Sequence, residues 1–202
     1  MQIIECEQGA DAWFAARLGK VTASNFAAVM AKGEGKTRKT YMLRLATEIL
    51  TGFPEPTFQS QYMENGHETE AEARDAYAST YDCEVVQVGF VLHDDNAGAS
   101  PDGMVGKDGL VELKCPKSTT HVETILRGSM QACYKPQVQG QLWVTGRKWC
   151  DWVSFDPRVS SQPLFCVRQE RDDKYIATIE QEVKQFITEL HEMMQKVTKC
   201  PY

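Results

Sequence analysis

Apolar residues recur most regularly near the C-terminal end of the chain. Ile176, Ile179, Val183, Phe186, Ile187, Leu190, Met193, Met194 and Val197 return every three or four positions. That spacing predicts one long helix over about 172–199 with a single buried stripe. Shorter stretches share the period: 9–18 around Trp13, Phe14, Ala16 and Leu18; 25–31; and 40–50, stopped by Gly52 and Pro54. An alanine- and glutamate-rich stretch over 62–81, the segment 119–126 and the segment 135–144 complete the helices, the last with Pro136 in its first turn. Runs 2–5, 84–92, 98–105, 110–116, 149–155 and 163–169 suit strands. Two glycines in Gly106-Lys107-Asp108-Gly109 predict a hairpin loop of about four residues between two of these runs. With 84–92 they form three consecutive antiparallel strands. The mixture is α/β. No repeat, low-complexity tract or linker divides it, so residues 1–202 read as a single domain.

The hairpin carries the chemistry. Along Leu110-Val111-Glu112-Leu113-Lys114-Cys115 the side chains alternate faces, so Val111, Leu113 and Cys115 enter a core while Glu112 and Lys114 share the other side. Asp102 precedes the turn and joins them. Two close carboxylates repel each other, and a hard divalent cation relieves that repulsion. Such an ion activates water and polarises a phosphodiester, while a neighbouring lysine orients the water or neutralises the transition state. An ordinary surface hairpin with a Glu/Lys pair is the plainer alternative.

Charge and composition narrow the choice. The net charge of −6 argues against a general nucleic-acid coat, although positive charge can gather on one face. One basic stretch, Lys32 to Lys39, reads equally as a solvated loop or a DNA contact. Seven scattered cysteines without a Cys-x-x-Cys pair point to reduced thiols in the cytoplasm. The four histidines form no ligand spacing, and no apolar run approaches a membrane span. Thr22 and Ser24, just ahead of a helical run, are capping signals; with Arg17 nearby they also suit an anion. Glu70 and Arg74 lie four apart, as solvated helix pairs do, and Gln137 and Gln141 share a helix face.

Asp102 followed by Glu112-Leu113-Lys114 resembles the PD-(D/E)xK nuclease core. Arg17-Leu-Gly-Lys-Val-Thr-Ala-Ser24, Gly66-x3-Glu70, Ser100-Pro-Asp-Gly103, Glu112-Leu-Lys-Cys-Pro116, Gln137-Val-Gln139 with Leu-Trp-Val144, and Asp156-Pro-Arg158 occur in that order. This series resembles the YqaJ-type viral recombinase exonucleases, the family of bacteriophage lambda exonuclease. The resemblance implies a restriction-endonuclease-like fold, a central mixed sheet flanked by helices. It implies Asp102, Glu112 and the Leu113 carbonyl as metal ligands, Lys114 as the residue that orients water, and Glu70 at a second ion. Gln137 or Gln139 would stand near the attacking water. Arg17, Ser24 and Ser100 would hold a 5′-phosphate, and Met63 would be the wedge that splits the terminal base pair.

The implied activity is 5′-to-3′ digestion of linear double-stranded DNA, dependent on two Mg²⁺ ions with Mn²⁺ as a substitute. It would release mononucleotides and leave 3′ overhangs. A homotrimeric ring, a single-strand annealing partner and a phage or prophage origin, with action in the bacterial cytoplasm and no membrane, belong to the same resemblance. A PD-(D/E)xK endonuclease or junction resolvase, and a non-catalytic DNA-end-binding protein, are the alternatives.

Overall fold

In the computed structural model the described residues are 2–31, 36–55 and 61–199, with the stretch 61–68 described by its backbone alone. The elements follow in the order β1 (Gln2–Ile4), α1 (Asp11–Arg17), β2 (Val21–Thr22), α2 (Phe26–Val29), α3 (Lys36–Thr51), α4 (Gln61–Tyr81), β3 (Val85–Val86) and β4 (Phe90–Leu92). Then come β5 (Ala97–Ala99), β6 (Gly103–Val105), β7 (Gly109–Lys114), α5 (Ser118–Arg127), α6 (Lys135–Thr145), β8 (Trp149–Phe155), β9 (Leu164–Glu170) and α7 (Asp173–Thr198). One sheet runs β1-β4-β5-β2 and a second runs β3-β6-β7-β8-β9. Both are mixed, because β2 pairs with β5 and β7 with β8 in parallel.

Each of two predicted strands serves both sheets. The run 84–92 divides into β3 and β4, and the run 98–105 into β5 and β6. The antiparallel relation survives in the β4–β5 and β3–β6 pairs, but three continuous strands do not form. Pro101 explains one break, since it has no N–H to give to a ladder. At the other, Gly89 lies so close to Cys6 and the Ile4 carbonyl that an added Cβ would sit 2.4–2.6 Å from them. Ser100, Pro101 and Asp102 therefore occupy the crossing between the sheets.

The hairpin from β6 to β7 turns through Gly106–Asp108, one residue shorter than expected. Gly106 supplies the positive φ of 52°. Gly109 is already in the strand, where its missing side chain leaves room for the Trp149 ring. Strand alternation then sets the two faces as predicted. Val111 and Leu113 pack with Ala73 and Tyr77 of α4, while Leu110 packs into the larger core with residues of α2, α3, α6 and α7. Ile176, Ile179, Val183, Phe186 and Leu190 bury the stripe of α7, but Val197 near its end is exposed. Residues 32–35 of the basic stretch lie outside the described residues, and the remainder is the first turn of α3. There Arg38 pairs with Glu189 of α7 and donates to the Val29 carbonyl, so this cation serves the fold.

A buried carboxylate fastens α4 to the sheet. Asp151 of β8 accepts two bonds from Arg168 at 2.8 and 2.9 Å and one from the Tyr77 hydroxyl at 2.7 Å. Burial, and then the Asp151 charge, push the Tyr77 phenol above its ordinary value, so it remains a donor. Tyr77→Phe removes that bond and should lower the unfolding free energy by about 1.5–3 kcal/mol in urea titration. A loss below about 0.5 kcal/mol would mean that Arg168 alone satisfies Asp151.

Candidate active site

Asp102 leaves the sheet crossing with its Oδ2 accepting from the Leu113 N–H at 2.6 Å. This bond sets its carboxylate beside Glu112, on the face of β7 opposite α4. Glu112 is only 1% exposed, which is unusual for a carboxylate and requires donors. It has three. Lys114 Nζ and Gln137 Nε2 both donate to Oε1, and Gln141 Nε2 donates to Oε2 at 2.6 Å. Gln137 and Gln141 reach Glu112 together because they stand one turn apart on α6. Gln139 faces elsewhere: its Nε2 donates to the Glu170 carbonyl and its Oε1 accepts from the Asp172 N–H, both at 2.8 Å.

The electrostatics follow from dryness and crowding. Burial, reinforced by the Glu112 charge, pushes Asp102 well above the usual carboxylate range, against the pull of Lys114 and the Leu113 N–H. Burial alone would lower Lys114. The charges of Glu112 and Asp102 outweigh it and hold the ammonium above its ordinary value. Cys115 is driven the same way as Asp102, to about 12, by burial and the charges of Glu70 and Asp102. It is an inert thiol. Two carboxylates against one lysine leave this corner with a negative excess suited to a cation.

A few ångström away the chain builds the opposite environment. Arg17 lies with its guanidinium 4.0 Å above the Trp13 ring and donates to Ser100 Oγ at 3.1 Å. Trp13 Nε1 donates to the same oxygen at 2.8 Å. Burial lowers the Arg17 pKa to about 10, which marks a cation stripped of water. Thr22 and Ser24 do not cap the following helical turns. Their hydroxyls lie 3.3 Å apart, and Asn25 Nδ2 donates to Thr22 Oγ1 at 2.8 Å. The reason is the short 3-10 turn over Ala23–Asn25, which separates them from α2. Arg17, Ser24 and Ser100 line the same cavity of about 210 Å³ as Asp102, Glu112, Lys114, Gln137 and Gln141.

Glu70 stands beside this cavity rather than in it. Its Oε1 accepts from Arg74 at 2.9 Å, and Arg74 Nε donates to the Asp102 carbonyl at 3.2 Å. Both line an adjoining open cleft of about 750 Å³ with Glu5, Glu7 and Gln87. Among the described residues no three His, Cys, Asp or Glu side chains form a metal cage. The Met63 side chain lies outside the described residues. Sequence reasoning passed over Trp13 and Gln8, whose amide holds the Pro101 carbonyl at 3.0 Å. It gave Gln141 no role either. Signals existed for two of them, since Trp13 precedes Arg17 by four positions and Gln141 follows Gln137 by four.

Comparison with known proteins fits this geometry. Residues 12–148 match the YqaJ-like viral recombinase domain. The structure is similar to that of an alkaline exonuclease (LHK-Exo) from Laribacter hongkongensis, with a TM-score of 0.88 and 44% identity over 94% of this chain and 97% of that one. The same enzyme in complex with dAMP gives a TM-score of 0.89 at the same identity and coverage. A phage-related exonuclease from Haemophilus somnus 129PT, 16% identical, shares the fold at a TM-score of 0.68, covering 88% of this chain and 96% of its own. The putative uncharacterized protein ExoD of Escherichia coli K12 is 30% identical over 69 residues, which are 34% of this chain and 79% of ExoD. Because the matched span holds Arg17, both carboxylates, Lys114 and the α6 glutamines, on the fold of an alkaline exonuclease of PD-(D/E)xK type, the chain belongs to the YqaJ-like viral recombinase family of nucleases.

Proposed function

We propose that this nuclease is a Mg²⁺-dependent exonuclease that degrades one strand of linear duplex DNA from its 5′ end. The observation that carries the reading is one cavity lined both by a partly buried arginine with two serines and by two crowded carboxylates. An anion seat so placed has a use when a strand terminus must be held at a fixed distance from the cleaving groups. An endonuclease has no terminus to hold. Release of mononucleotides accords with the capture of dAMP by the Laribacter hongkongensis relative.

The residues present suit a hard divalent ion: Asp102 and Glu112 form a repelling pair that such an ion neutralises, with the Leu113 carbonyl, water and phosphate oxygens as its other ligands. When bound, it would activate water and stabilise the leaving oxygen. Lys114 bears its proton and so acts as a donor, orienting the attacking water and offsetting charge on the phosphate. Gln137 shares Glu112 Oε1 with Lys114 and stands where it can steer that water. Arg17, Ser24 and Ser100 receive the 5′-phosphate, and the reach between seat and carboxylates sets the step at one nucleotide. Glu70 would serve a second ion through the oxygen that Arg74 does not hold. A homotrimeric ring on DNA and delivery of the 3′ overhang to a single-strand annealing protein complete the proposal.

A linear duplex labelled at the 5′ or 3′ end of one strand tests it, beside a closed circle. Rapid Mg²⁺-dependent release of the 5′ label as a mononucleotide, with the circle intact, is expected. Cutting of the circle would favour an endonuclease, and end binding without cleavage a non-catalytic module. Arg17→Ala should reduce the preference for 5′-phosphate over 5′-hydroxyl ends by about tenfold or more, since a charge-assisted contact is worth about 1.5–3 kcal/mol. Equal loss on both ends would make Arg17 a structural residue.

Asp102→Asn should raise the melting temperature of the metal-free protein at pH 8, by about 2–4 °C per kcal/mol of repulsion relieved. The folded state holds the Asp102 proton more tightly than the unfolded chain does. The wild type therefore loses stability as pH rises above the ordinary carboxylate value, and the two proteins should converge as pH falls towards it. Millimolar Mg²⁺ should stabilise the wild type and not the variant. A variant that melts lower than wild type at pH 8 would show that the carboxylates do not oppose folding.

A further inference from the structure

Gln139 and Gln141 lie two residues apart on α6 and are both buried, yet they are treated differently by their surroundings. Gln139 has both ends of its amide paired with backbone, as a residue that builds the fold does. Gln141 has one end paired. Its Nε2 donates to Glu112 Oε2 at 2.6 Å, while its Oε1 is buried without a donor among the described residues. Turning the amide over would press that carbonyl against the Glu112 carboxylate, so the orientation is fixed. A buried carbonyl without a donor opposes folding, and an apolar side chain of the same length would avoid the penalty.

The position of the contact supplies a reason to keep the amide. A carboxylate has about four lone-pair sites, two on each oxygen. Among the described residues, Oε1 of Glu112 accepts from Lys114 and Gln137, whereas Oε2 accepts from Gln141 alone. The lone pair left for a cation is therefore on Oε2, the oxygen that Gln141 grips. Gln141 also lines the cavity that Asp102, Glu112 and Lys114 line. We infer that Gln141 is a positioning residue for the metal site: its N–H aims Glu112 Oε2 at the divalent ion. The inference rests on the metal-dependent nuclease reading.

Mn²⁺ binding to the DNA-free protein, followed by electron paramagnetic resonance, tests it on wild type, Gln141→Met and Gln141→Asn. The first variant keeps the length and removes the amide, and the second keeps the amide and shortens its reach. Both should bind Mn²⁺ about 10-fold or more weaker, the range in which residues that orient metal ligands act. The Mg²⁺ concentration giving half-maximal cleavage should rise by a similar factor, while KM for DNA ends at saturating Mg²⁺ stays unchanged. Variants that bind Mn²⁺ as tightly as wild type would overturn the inference and leave the nuclease reading standing. Wild-type protein that binds no Mn²⁺ would overturn both.

Discussion

Burying two carboxylates side by side is the demand that the rest of the architecture meets. Glu112 has almost no water to stabilise it, Asp102 is part-buried beside it, and the Glu112 charge raises the cost of ionising Asp102. The chain answers with donors from four different places. The β7 backbone gives Leu113 N–H, the next position on the same strand face gives Lys114, α6 gives two glutamines, and Arg74 of α4 holds the Asp102 carbonyl. The donors come from β7, α6 and α4, and all three elements must be in register. Sheet crossing, parallel β7–β8 pairing and the α4 anchor at Asp151 are thus consequences of one electrostatic problem.

The problem is left partly unsolved, and that is useful. One lysine does not neutralise two carboxylates, and among the described residues Arg17 pairs with a hydroxyl and with the rings of Trp13 and Phe90, not with a carboxylate. The cavity therefore holds a cation deficit at one wall and an anion deficit at the other. A phosphodiester chain with its attendant divalent ions carries the complementary arrangement. This also explains how a chain of net charge −6 addresses DNA: local separation of charge does the recognition, at short range and in a dry setting where it is strongest.

Much of this was legible in the sequence, because much of it is periodic. Alternation along Leu110–Cys115 placed Glu112 and Lys114 on one face, and the three-to-four spacing of α7 located nearly all its buried stripe. What local periodicity does not encode is a change of sheet. The runs 84–92 and 98–105 look continuous, since a strand keeps its alternation while its hydrogen-bonding partner changes. Thr22 and Ser24 carry a capping signature, but the intervening 3-10 turn turns their hydroxyls to the cavity. Choosing between Gln137 and Gln139 depended on which helix face meets β7, a tertiary fact. Arg38 in a basic stretch resembled a DNA contact until the distant Glu189 came beside it. Glu70 resembled a solvated partner of Arg74, and it is that partner, at the margin of the cavity.

The two parallel pairings have a kinetic side. Val21 registers with Ala97, and Gly109 with Trp149, so both ladders close only after long intervening segments have been gathered in. The hairpin β6–β7 and the β8–β9 pair are local and free to form early. Arg17 precedes the first of these long closures, Asp102 stands between the two, Glu112 belongs to the second ladder, and the α6 glutamines lie inside it. The cavity is therefore complete only in the fully folded chain. A partly folded molecule carries its carboxylates without the arginine seat, and enzymatic turnover becomes a stricter index of folding than any measure of secondary structure.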